Sequence, residues 1–195
     1  MTLTDKHITY ENDCRQMFVG KIIRAVIYGE IKYFTDKNGN NVNPKPCFET
    51  KYPDVDTLDY SIYFKTDEKN IYVFWDNTFV CYGIKSQIVD LTTKINDYEQ
   101  KWDVSTEKKW EDLIGKQIID FKILWEETWC SNIDGSNKVY YIYPQTFEIT
   151  ISNKKKIIIS ACEFSSDEKQ EINSQMDNLL VTTNIDLAKN IKLIE

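Results

Sequence analysis

The acids of this chain that could do chemistry come in two pairs. "PDVD" places Asp54 and Asp56 two residues apart, and "WEETW" places Glu126 and Glu127 side by side. Acid–base work needs two carboxyls converging on one reacting bond. Neighbours on a strand point to opposite faces, so Glu126 and Glu127 diverge. Asp54 and Asp56 share a parity, but they fall in a segment that reads as a loop. A second pattern joins Pro53-Asp54 to Asp67-Glu68-Lys69, formally a PD…(D/E)xK arrangement that could hold Mg²⁺ and attack a phosphate. Its second acid and lysine belong on a strand, yet "KTDEKN" reads as a hairpin turn.

Other chemistry lacks its residues. His7 is the only histidine, and the polar segment around it reads as a solvated tail. A Ser-His-Asp or Cys-His centre would have to use it. The five cysteines, Cys14, Cys47, Cys81, Cys130 and Cys162, are widely spaced and form no CxxC, so neither zinc nor a disulfide framework is expected. "DKNGNN" misses the EF-hand spacing, with Gly39 fourth and Cys47 twelfth from Asp36. The repeated Gly-Lys runs from helix to strand, the reverse of a P-loop. No catalytic residue, cofactor or metal is expected. Most aromatic residues fill cores, and that is the first expectation for any single one here, with recognition as the other use. Trp125 and Trp129 share a strand parity across the two glutamates, and exposed aromatics flanked by acids suit a protein-binding surface. The candidate surface is Asp54, Asp56, Glu126, Glu127, Trp125 and Trp129.

The elements that must carry these residues are written twice. "FVGKIIRA" at 18–25 returns as "LIGKQIID" at 113–120. Each follows a helix-like stretch, with Asn12 or Asp13 the expected cap in one and Ser105 or Thr106 in the other. Gly20 and Gly115 suit the left-handed cap that ends a helix. Asn38-Gly39 and Asp134-Gly135 then give hairpin turns. Tyr52-Pro53 answers Tyr143-Pro144. Tyr60, Ile62 and Phe64 align with Phe147, Ile149 and Ile151, and Ile71 and Val73 with Ile157 and Ile159. Period-two patterns around a polar turn read as half-buried hairpins. The expected fold is α+β, mainly antiparallel β, in two similar halves. One half covers 10–85 and the other 105–185. A helical linker is expected over 86–104, from the spacing of Ile88, Leu91, Ile95 and Tyr98, and a helical tail over 186–195.

Composition narrows the partners. The chain has 195 residues and a net charge of −7, and Arg15 and Arg24 are its only arginines. That balance argues against nucleic acid, which selects for cations that displace counterions. It favours a basic protein partner through electrostatic steering. There is no membrane-length apolar run and no leader-like segment, so a cytoplasmic protein is expected. The wealth of Asn, Ile, Lys and Tyr reads as an AT-rich, bacterial gene. These features lead to an acidic protein-binding module, most concretely an immunity protein that neutralises a toxin. A small-ligand binder or carboxylate enzyme with a cleft between the halves is the alternative.

Overall fold

Helix α1, Asp5–Phe18, buries one stripe made by His7, Cys14 and Phe18. Thr4 precedes it, and the Thr4 N–H donates to His7 Nδ1 at 3.0 Å. The helix therefore starts well before Asn12, and His7 is no solvated tail residue. It is buried, stacked on Phe79 at 5.5 Å and edge-on to Trp125 at 4.9 Å. Tertiary packing, not the polarity of the sequence, sets where the helix begins. The computed structural model describes residues 1–48, 50, 52, 54–79, 82–90, 97–164 and 172–195.

After α1 come β1 (Ile23–Ile31), a small hairpin of β2 (Phe34–Thr35) and β3 (Asn41–Val42), and β4 (Val55–Leu58). Strands β5 (Ser61–Thr66), β6 (Asn70–Asp76), β7 (Gly83–Val89) and β8 (Glu99–Asp103) follow. Helix α2 (Lys108–Glu111) precedes β9 (Ile118–Cys130), β10 (Val139–Ile151), β11 (Lys156–Phe164), β12 (Ile172–Thr182) and α3 (Ile185–Asn190). The larger strands form two five-stranded antiparallel sheets, ordered β7-β6-β5-β1-β8 and β4-β12-β11-β10-β9. The protein is thus α+β, mainly antiparallel β, with three helices among the described residues.

The two sheets share one core. Ile62, Phe64 and Val73 from the first meet Phe121, Phe147 and Ile159 from the second. Phe18 of α1 enters the same core, stacked on Phe121 at 4.9 Å. A side chain this deeply buried contributes about 2 kcal/mol from lost apolar surface. On the far face of the second sheet, Ala188, Ile191 and Leu193 cover Ile158 and Leu180. Asn184 caps α3 by accepting the Leu187 N–H at 3.0 Å.

The two Gly-Lys segments lie antiparallel, with Ile22 opposite Gln117. Their hydrogen bonds come in matched pairs. Gly20 N–H donates to Ile118 O at 2.9 Å, and Gly115 N–H donates to Ile23 O at 2.7 Å. Ile118 N–H donates to Lys21 O at 2.8 Å, and Ile23 N–H donates to Lys116 O at 3.0 Å. Both glycines hold positive φ, +91° and +78°, which a side chain would strain. Strands β1-β5-β6-β7 and β9-β10-β11-β12 are both antiparallel meanders. Each has a bulge where the first strand begins, at Arg24 and at Ile119.

The register differs from the sequence alignment by two residues. Val26 pairs with Phe64 while Phe121 pairs with Ile149, so Phe64 rather than Ile62 occupies the place of Ile149. Tyr143 lies buried within β10, whereas Tyr52 lies before β4, outside any strand. The fifth strands also differ: β8 joins beside β1, and β4 joins beside β12. The helix expected over 86–104 is absent from its described residues. Ser86–Val89 belongs to β7 and Glu99–Asp103 to β8. Pairing with β6 and β1 supplies backbone hydrogen bonds that override the helical spacing. Residues 91–96 lie outside the described residues. Cys14, Cys47, Cys130 and Cys162 are free thiols, and Cys81 lies outside the described residues.

Candidate binding hairpin

Strands β9 and β10 are each 13 residues long and pair from Ile118↔Ile151 out to Cys130↔Val139. β11 pairs with β10 only over Thr146–Thr150. The outer part of the hairpin therefore runs beyond that partner. The separation begins at Pro144-Gln145. Proline has no N–H to give a ladder, and Gln145 is the extra residue of a bulge. The Gln145 side chain is buried and bonds Ser160 Oγ at 2.9 Å and Ala161 O at 2.8 Å. At the tip, Asp134 accepts the Ser136 N–H at 2.9 Å and Gly135 holds φ +78°. This is the Asp-Gly turn that the residues dictate.

The tip exposes apolar residues. Trp129, Val139 and Tyr140 are each half exposed or more, and Ile133 is fully exposed. Trp129 stands opposite Tyr140, and Lys138 Nζ lies 4.3 Å from the Trp129 ring centroid. Glu126 and Glu127 are both exposed, Glu127 on the Trp129–Tyr140 face and Glu126 on the other, where it accepts the Tyr143 O–H at 3.3 Å. Towards the base, Tyr140 and Ile142 form one wall of a shallow cavity of about 270 Å³, facing His7 and Phe79. An exposed set of large apolar residues rimmed by charge is the usual form of a contact surface.

The six residues singled out from the sequence separate into two places. Trp125, Glu126, Glu127 and Trp129 lie together on β9, but Trp125 does not face solvent. It is buried against His7 and Phe79, and its Nε1–H donates to Glu11 Oε2 at 3.0 Å. It braces the hairpin against α1. Asp54 and Asp56 lie at β4, the opposite edge of the sheet from β9. Asp54 is exposed and accepts the Asn184 Nδ2–H at 2.9 Å. Asp56 is only 2% exposed, a departure from its place in an expected surface loop. It accepts Tyr28 O–H at 2.7 Å and Lys109 Nζ–H at 2.5 Å. β4 is covered on both faces, so an acid there must be paired. Val139, Tyr140 and Ile133 were not legible as surface residues. Their signal was apolar side chains crowded against an Asp-Gly turn, where a half-buried hairpin would place polar ones.

Other acids are already occupied. Glu30 is buried and accepts the Cys47 N–H with both oxygens, at 3.0 and 3.2 Å. Asp59 accepts the Ile31 N–H at 3.1 Å. Glu99 accepts the Ser61 and Tyr63 hydroxyls. Among the described residues no three His, Cys, Asp or Glu side chains gather as a metal-binding set. Asp67, from the PD…(D/E)xK pattern, sits in the β5–β6 turn and accepts the Ile22 N–H at 2.9 Å. No helix among the described residues is long and apolar enough to cross a membrane.

Burial pushes the Glu30 carboxyl above its ordinary value of 4.5. The folded state therefore holds this proton more tightly than the unfolded state. Its contribution to stability is fully present below the unfolded pKa and falls as pH rises through the folded pKa. Glu30→Gln removes this loss while keeping one acceptor for Cys47. Relative to the parent, the variant is expected to gain stability as pH rises above about 4.5, the ordinary value. Urea midpoints across that range check it, and a constant difference would refute the linkage.

No protein-family model, no curated protein and no solved structure matches the chain.

Proposed function

We propose that the chain is a non-enzymatic protein-binding module, most concretely a bacterial immunity protein that neutralises a basic toxin in the cytoplasm. One observation carries the reading: the β9–β10 hairpin presents Trp129, Val139 and Tyr140 to solvent with Glu126 and Glu127 beside them. Half-exposed aromatics on a braced hairpin are suited to be anchors. The net charge of −7 supports a basic partner. The bonded state of Glu30, Asp59 and Glu99 speaks against a cleft of free carboxylates.

The test is binding to a basic toxin encoded beside this gene, with rescue of the host as the second readout. Trp129→Ala is expected to raise the dissociation rate by about thirtyfold, the effect of losing an anchor of about 2 kcal/mol. Glu126→Lys is expected to slow association instead, and its effect should shrink as salt rises. An acidic partner, or association that ignores both charge and salt, removes the electrostatic part of this reading. A complex that leaves the hairpin uncovered removes the assignment of the surface.

The two halves, 10–85 and 105–185, are read as products of a duplication that pack as one unit. The paired hydrogen bonds of the Gly-Lys segments, the common meander order and the common bulge support this. β4 supports the single unit, because it lies in the first half by sequence and pairs with β12 of the second.

A further inference from the structure

We propose that the outer edge of β9, at Glu127 and Trp129, is a strand-addition site for an extended, lysine- or arginine-bearing segment of another protein. The proposal rests on the hairpin reading above and specifies how the hairpin binds. Among the described residues the two five-stranded sheets have four edges, and unprotected edges recruit strands. Three of the four are blunted. β4 has four residues, and its Thr57 N–H donates to Phe48 O at 3.0 Å. β7 is covered by Tyr10 of α1, which donates to Ile84 O at 2.8 Å and accepts the Ser86 N–H at 3.2 Å. β8 has five residues with Lys101 at its centre.

The fourth edge is covered over only part of its length. Arg15 donates to Phe121 O at 2.8 Å, and Glu11 accepts the Ile123 N–H at 3.4 Å. These contacts show which β9 residues turn their backbone groups outward. Strand geometry alternates, and β9 carries no bulge between Phe121 and Trp129. The outward set therefore continues to Glu127 and Trp129. Neither has a further backbone partner among the described residues. From Leu124 to Cys130 the strand contains no Lys, Pro or Gly, the residues that usually protect an edge. It carries Glu126 and Glu127 on its two faces.

Charge selects the occupant. Two copies of this chain joined at β9 would set their glutamates against one another, which opposes pairing. A strand with its cations on one face would set them beside Glu127, where Trp129, of the same parity, would cover their aliphatic stems.

The probe is an eight-residue peptide of alternating lysine and valine, capped at both ends, added to the whole chain at low salt. Controls are the same peptide with alternate amides N-methylated, and its glutamate–valine counterpart. The basic peptide is expected to shift the amide signals of Glu127 and Trp129. N-methylation should weaken binding by about tenfold or more, the loss of one or two net hydrogen bonds. In the protein, Glu127→Gln removes the charge and keeps the edge donor. Glu127→Pro removes both and spares the β10 ladder, because that N–H points outward. Glu127→Pro should therefore bind at least about tenfold more weakly than Glu127→Gln. Equal binding of the methylated and parent peptides overturns strand addition, as does no binding of either. Dimerisation abolished by Glu127→Pro overturns it too, by making a second copy the occupant. The hairpin reading has its own readout, the Trp129→Ala effect on the toxin complex, so each can fail alone.

Discussion

Lys109→Met is expected to destabilise the protein by about 3 kcal/mol, measured by urea unfolding, because it leaves the Asp56 carboxylate buried without its cation. The pair is well shielded, with the Asp56 side chain 3% exposed and the Lys109 side chain 15% exposed. It joins three elements: Asp56 on β4, Lys109 on α2 and, through its hydroxyl, Tyr28 on β1. Trp110 Nε1–H extends the network by donating to Tyr28 Oη at 2.9 Å. Burial and the neighbouring Asp56 carboxylate push the Tyr28 phenol well above its ordinary range, so Tyr28 remains a donor. Asp56→Asn in the Lys109→Met background is expected to restore much of the loss. It removes the uncompensated charge and keeps an acceptor for Tyr28. The exposed Lys155–Asp112 pair is the control, and Lys155→Met is expected to leave the midpoint unchanged. If Lys109→Met behaves like Lys155→Met, the ion pair does not hold the sheets together.

The same pair marks how far the sequence could be read. Asp56 shows as an acid two residues from Asp54, and short-range patterning predicts an exposed loop. Its burial depends on β4 joining β12 of the distant half, a contact no local pattern encodes. Glycines fared better, since Gly20 and Gly115 announce positive φ through local sterics alone. The β5–β6 and β10–β11 hairpins were legible from period-two alternation on either side of a polar turn. Register was not. An alternation of period two is unchanged by a shift of two residues, so Ile62 and Phe64 fit the place of Ile149 equally well. Over the described residues of 86–104 the expected helix gives way to strand, because pairing with neighbouring strands decides where a short apolar set fits both periodicities. Trp129, Glu126 and Glu127 are exposed on β9. Trp125 shares their strand, but α1 reaches it from more than a hundred residues earlier.

Gly29→Ala should cost about 3 kcal/mol although Gly29 has an ordinary negative φ, so the cause is space rather than conformation. A Cβ at Gly29 would land on the Glu99 carboxylate and the Ser61 hydroxyl. Those groups are bonded to each other, and Glu99 also accepts the Tyr63 hydroxyl. All three residues are buried. The carboxylate cannot move without abandoning both hydroxyls, and each abandoned buried donor costs about 1–3 kcal/mol. Glu99→Ala supplies the discriminating background. It removes the group the new methyl would strike, and it frees the Ser61 hydroxyl to rotate away. Glu99→Ala alone is expected to be destabilising, since it orphans the same two hydroxyls. Adding Gly29→Ala to it should then cost little, giving a coupling of about 2 kcal/mol in the double-mutant cycle. If the two substitutions add independently, the Glu99 carboxylate is not what the new methyl strikes, and the Glu99–Ser61–Tyr63 cluster is not what requires the glycine.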